Sequence, residues 1–191
     1  MGGRAPWTPP ADSLESTPRL RASRKARSVS TAGFKVRVTK DFLVFSSGHF
    51  ITFNGDHCER IHGHNYQTAV EVEGDLDENH YVVDFLALRD MTRAITDELD
   101  HRMLLPGQSA YIRLEDDGPN IVARYRDRYW SFPRDECVVL PIPNTTTELL
   151  ARYIAERLLA EMRGRGWLDP RVLRVEVEES FGMTAEVALT P

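Results

Sequence analysis

The chain has 191 residues, with 24 Lys+Arg against 29 Asp+Glu and a formal net charge of -5. That length suits one domain with appendages, and 41% hydrophobic with 28% charged residues is ordinary for a soluble globular protein. No apolar run reaches the roughly 18 residues of a membrane helix, and the acidic balance argues against bulk nucleic-acid binding, so neither a membrane nor a nucleic acid is expected as a partner.

Residues 1–33 carry a net charge of +4, which leaves -9 on the rest. This stretch holds four prolines, several serines and no periodic apolar pattern. It cannot bury enough surface to offset its ordering entropy, so a disordered basic leader is expected. It lacks the apolar core of a secretory signal, which points to a cytoplasmic protein. The two cysteines, Cys58 and Cys137, are then expected as free thiols.

Phe34 to Phe50 predicts a strand, rich in Val, Phe, Thr and Ile, bent near Lys40-Asp41. Asn54-Gly55-Asp56 is a turn signal. His62 to Glu73 predicts a second strand, with His62, His64, Tyr66, Thr68, Val70 and Val72 on one face. Asp84 reads as the N-cap of a helix whose stripe is Phe85, Leu88, Thr92, Ile95 and Leu99. Residues 107–141 form an insert with strand-like runs at 121–125 and 129–132. A second helix is expected from Thr145, with Glu148 completing a capping box. Leu173–Glu179 and Met183–Leu189 read as a closing hairpin around Ser180-Phe181-Gly182. The order predicts an α+β fold: an antiparallel sheet with helices on one face.

Four features carry chemistry. His62-Gly63-His64 places two imidazoles on one face of a strand, and pairing with the preceding strand could set His49 opposite them. Three neutral imidazoles with an open fourth position suit a catalytic zinc, whereas two surface histidines and one core histidine would account for the same residues. Cys58 lies in the polar loop Asp56-His57-Cys58-Glu59-Arg60, where a bound cation and Arg60 would lower its pKa and make it a usable base. Asp100-His101 ends the first helix and could relay protons or merely complement the helix dipole. Glu179 falls by strand parity on the face of Val175 and Val177, where a carboxylate is costly without a partner or a task. Cys137, before Val138-Val139-Leu140, reads as a small buried hydrophobe.

Several segments in order resemble the 6-pyruvoyl and 6-carboxy-tetrahydropterin synthase family. They are Ser47-Gly48-His49-Phe50, Cys58 to Tyr66, Val82-Val83-Asp84-Phe85, Leu99-Asp100-His101, Asn144 to Glu148, and Val175 to Ser180. The resemblance implies a tunnelling fold (T-fold), a four-stranded antiparallel sheet backed by two helices, over residues 34–191 with an inserted hairpin at about 107–141. It implies trimers or hexamers with active sites between subunits. It implies Zn2+ on His49, His62 and His64, Cys58 as general base with Asp100 and His101 as its relay, and Glu179 and Thr146 holding the pterin. The implied substrate is 7,8-dihydroneopterin triphosphate, and queuosine synthesis is one implied destination of the product. Glu59 stands where a folate-forming branch of the family carries a catalytic glutamate, so a dual activity yielding 6-hydroxymethyl-dihydropterin is a second implication. A scaffold that binds pterin or purine without turnover, or one in which zinc serves only folding, remains open on the sequence alone.

Overall fold

The computed structural model describes residues 33–167 and 169–191. The expected leader, apart from Gly33, lies outside the described residues. The strands are β1 (Phe34–His49), β2 (Thr52–Phe53), β3 (His57–Cys58), β4 (His62–Gly74), β5 (Arg102–Pro106), β6 (Arg113–Asp117), β7 (Asn120–Tyr125), β8 (Arg128–Pro133), β9 (Cys137–Leu140), β10 (Val172–Ser180) and β11 (Met183–Leu189). The helices are α1 (Phe85–Asp97) and α2 (Thr147–Gly164).

The main sheet runs β11-β10-β4-β1-β5-β9. Its first four strands are the expected antiparallel set. The sheet is wider than expected, because β5 and β9 extend it in parallel to six strands. The α+β T-fold architecture stands: α1 and α2 cover one face of this sheet. Their apolar sides meet it in one core containing Phe45, Tyr66, Val70, Leu88, Ile95, Leu150, Ile154, Leu158, Val175 and Val177. Alternation along β1 supplies its share: Leu43, Phe45, Ser47 and His49 are buried, and the residues between them are half-exposed.

The expected bend in β1 is a break in register with β4 between Thr39 and Val44. Such an irregularity bends the strand and raises its local twist. Asp84 does cap α1, its carboxylate accepting from the Leu86 and Ala87 N–H groups. Phe85 departs from the predicted stripe and is exposed, because it precedes the first buried turn. The capping box at Thr145 is also overturned. The Thr145 hydroxyl donates to the Phe50 carbonyl at 3.0 Å, so that side chain ties two loops together. The helix begins two residues later, after Thr146.

The insert is more than a hairpin. β6, β7 and β8 form a three-stranded antiparallel meander. It closes over its own apolar cluster of Phe50, Met103, Leu105, Ile112, Ile121, Ala123 and Tyr125.

Candidate active site

The pairing of β1 with β4 builds the centre of the site. His49 stands directly opposite His62, and Ser47 opposite His64. Period-2 alternation puts all three imidazoles on the helix-facing side of the sheet. Their ligand atoms lie within 4.8 Å of one another. Gly63, between the two histidines, falls by parity on the other face. There a Cβ would come 3.1 Å from the Ser47 carbonyl oxygen, so the glycine serves close approach of the two strands.

Hydrogen bonds set the tautomers. His49 Nδ1 lies 2.9 Å from the Thr145 carbonyl, and His62 Nδ1 lies 2.9 Å from the Arg60 carbonyl. A carbonyl only accepts, so each Nδ1 carries the proton and each Nε2 presents a lone pair. Those two Nε2 atoms are 3.2 Å apart. Two lone pairs facing at that distance repel unless a proton or a cation lies between them. Two ligands of a tetrahedral zinc are about 3.3 Å apart, given Zn–N bonds near 2.05 Å. Burial pushes the His49 imidazole below its usual pKa, and its two histidine neighbours add to this. It therefore stays neutral, as a metal ligand must. The donor set fits a metal ion.

Glu179 joins the cluster. Its Oε1 is 3.3 Å from His49 Nε2 and 3.6 Å from His64 Nε2, and it accepts from the Tyr66 hydroxyl at 3.4 Å. Burial first, and then this carboxylate, raise the Tyr66 phenol far above its usual pKa, so it remains a donor. Glu179 also lines a cleft of about 360 Å³ with Ile51, Thr146, Thr147, Glu148 and Met183. Strand parity thus located Glu179 correctly. Glu148, read from sequence as a capping residue, instead faces this cleft. The signal was its spacing from Thr146, two residues apart at a helix start, which puts both at one open end.

The thiol stands on β3 and the relay pair follows α1. Cys58 is half-buried on β3, and its Sγ lies 3.5 Å from the Glu59 carbonyl oxygen, to which it donates. Burial pushes this thiol up, with Glu59 adding to the rise, and the opposing cation is Arg128 rather than the expected Arg60. Arg60 contributes its carbonyl to His62 instead. Glu59 Oε2 is 3.9 Å from His62 Nδ1. Asp100 and His101 pair with each other at 2.8 Å. The Asp100 carboxylate accepts from the Ser46 N–H at 2.7 Å, and the His101 N–H donates to the Ser46 carbonyl at 2.7 Å. His101 holds a left-handed φ of 55° with its side chain exposed. It lines a second cleft, of about 460 Å³, with His64, Ser46, Met103, Phe132 and Glu136. Among the described residues, no hydrogen bond or ion pair joins Cys58 to Asp100 or His101.

The family model of 6-pyruvoyl tetrahydropterin synthase matches residues 37–189. The chain belongs to the 6-pyruvoyl tetrahydropterin synthase family. It is 32% identical over 144 residues to a Methanocaldococcus jannaschii protein named as a candidate 6-carboxy-5,6,7,8-tetrahydropterin synthase, covering 75% of this chain and 88% of that one. Its structure superposes on the 6-pyruvoyl tetrahydropterin synthase of Plasmodium falciparum with a TM-score of 0.75 at 30% identity, covering 83% of this chain and 99% of that one. A Plasmodium vivax 6-pyruvoyltetrahydropterin synthase in which a catalytic glutamate is replaced by alanine superposes with a TM-score of 0.76 at 28% identity, covering 84% and 99% of the two chains. The chain is thus an enzyme of the tetrahydropterin synthase kind, a lyase. No helix among the described residues is long and apolar enough to cross a membrane.

Proposed function

We propose that the protein converts 7,8-dihydroneopterin triphosphate to a 6-carboxy- or 6-pyruvoyl-tetrahydropterin with release of triphosphate, and of acetaldehyde for the carboxy product, in the cytoplasm, with zinc on His49, His62 and His64. One observation carries this reading: Glu179 faces both the imidazole cluster, at 3.3 Å and 3.6 Å, and the cleft that holds Thr146. A ring anchored by that carboxylate has its side chain beside the three Nε2-bearing rings.

Bound there, zinc supplies Lewis acidity to the substrate's side-chain hydroxyls and the C–H bonds beside them. The chain's own groups do the rest. Glu179 accepts hydrogen bonds from the amino and ring N–H edge of the pterin, with Thr146 at the mouth of the same cleft. Charge-assisted bonds of this kind fix both orientation and register. Cys58 as thiolate takes a proton from the substrate side chain. The Asp100 carboxylate holds the His101 imidazole ready to return one. Since no hydrogen bond or ion pair joins this pair to Cys58 among the described residues, we infer that it serves the thiol of a neighbouring copy in a trimer or hexamer, with β11 and β9 as the sheet edges among the described residues.

A second reading concerns Glu59. Its carboxylate lies beside the His62 ring, and the Plasmodium vivax relative uses a glutamate in catalysis. Glu59 would then take the proton in a cleavage that yields 6-hydroxymethyl-dihydropterin. The zinc-loaded protein, incubated with 7,8-dihydroneopterin triphosphate and followed by mass spectrometry, tests both. Cys58→Ala should abolish the carboxy or pyruvoyl product, and Glu59→Ala should remove any hydroxymethyl product. No conversion at all, with binding retained, would leave a pterin-binding module instead.

A further inference from the structure

Two arginines of the insert, Arg126 and Arg128, engage the loop that carries Cys58. Arg126 pairs with Asp56. Arg128 Nη2 donates to the Cys58 carbonyl at 2.9 Å, across 70 residues of chain. The Glu59 N–H donates to the Ile51 carbonyl at 2.9 Å. The short loop is therefore gripped at three successive points, two of them from the insert.

Arg128 is itself immobilised. Its guanidinium lies 5.0 Å from the centre of the Tyr125 ring and 5.3 Å from that of Trp130. Trp130 in turn stacks on Phe50 at 4.9 Å, and Cys58, like Trp130 and Phe132, packs against the insert's apolar cluster. A planar cation seated between two rings holds one orientation, which a flexible ammonium would not. The charges acting on the thiol are few. Arg128 on β8 favours the thiolate, and the adjacent Glu59 and burial oppose it. Asp56 is drawn off by Arg126 and His57.

We propose that Arg128 is a positioning residue for Cys58: it fixes the Cys58 peptide through its carbonyl and keeps a guanidinium beside the thiol, so that the insert rather than the loop sets where that thiol stands. This rests on the reading of Cys58 as the base. A base that works as an anion needs a partner that never loses its own proton, and arginine is the side chain that meets this condition.

The test is the pH profile of iodoacetamide alkylation of Cys58, in the zinc-loaded protein carrying Cys137→Ser so that one thiol remains. Arg128→Gln should move the profile up by about one pH unit, which means roughly tenfold slower alkylation near neutral pH. Arg128→Lys keeps the charge but not the seated plane, and should move it by about half a unit. Arg126→Gln leaves this guanidinium in place and should leave the profile where it is. Equal shifts in the Arg126→Gln and Arg128→Gln proteins would mean general loosening of the insert and overturn the proposal. So would an unshifted profile in Arg128→Gln, or in Arg128→Lys if the glutamine variant does not fold. The alkylation profile reads Cys58 whether or not it is catalytic. Full activity of Cys58→Ala, by contrast, would sink the base assignment and leave this profile intact.

Discussion

The three imidazoles and the thiol are positioned by different means. His49, His62 and His64 stand on β1 and β4, whose pairing runs from Phe34 opposite Gly74 to His49 opposite His62. Cys58 stands on β3, a two-residue strand that among the described residues pairs only with β2. Long strands with one buried face cannot slip by a residue without turning their whole apolar set outward. The three imidazoles thus inherit their geometry from the core. A two-residue ladder has no such protection, and the thiol takes its rigidity from the insert. The two halves of the chemistry should therefore fail independently.

The largest expected effect follows from cutting a ligand. His62→Ala should remove bound metal and reduce turnover to background, because two imidazoles do not hold a catalytic zinc tightly. The melting temperature should hold to within a few degrees, since His62 is half-exposed on one strand end. Metal content by atomic emission, read beside a melting curve, checks both. Loss of the fold with the metal would instead make the ion structural.

Next come the two cores. Leu158→Ala in the main core removes a fully buried side chain and should cost about 3 kcal/mol or more, lowering the melting of the whole protein. Ile121→Ala in the insert cluster, where the residue is 8% exposed, should cost about 2 kcal/mol and act locally. Hydrogen exchange should then rise over residues 107–141 and the Cys58 loop before it rises in β1 or β4. A uniform rise would show that the two regions unfold as one.

Much of this division was legible in the sequence. The His-x-His spacing, the odd parity of Glu179, the Asp84 cap and the bend near Lys40 each follow from a local period or a local hydrogen bond. Those signals survive folding because neighbours in sequence remain neighbours on the strand. The insert's grip on Cys58 left no such trace, because Arg128 and Cys58 are 70 residues apart and no period links them. For the same reason Arg60, close in sequence, stood in for Arg128. β5 and β9 escaped notice because parallel pairing of short runs has no turn to announce it. The Thr145 cap failed because a tertiary bond to the Phe50 carbonyl outcompeted the local one.

The smallest expected effect lies on the far face of the main sheet and concerns pH. Glu71 is buried there, with Lys35 Nζ at 3.0 Å and Arg174 Nη1 at 2.8 Å. The hydrogen bond from Lys35, followed by that from Arg174, holds its carboxyl below the usual glutamate value against the opposing effect of burial. A carboxylate depressed in the folded state contributes stability that is fully present above its unfolded pKa, about 4.3. That contribution is lost as the pH falls through the folded value. Glu71→Gln, unable to ionise, should therefore melt lower than the parent at neutral pH and converge with it as the pH falls through the lowered folded value. The imidazole cluster takes no part in this pair, so metal content at pH 7 should be the same in both proteins. If the two melting curves stayed parallel across the acid range, the charge of Glu71 would contribute nothing. The contacts of Lys35 and Arg174 with that carboxylate would then be worth no more than contacts with a neutral amide.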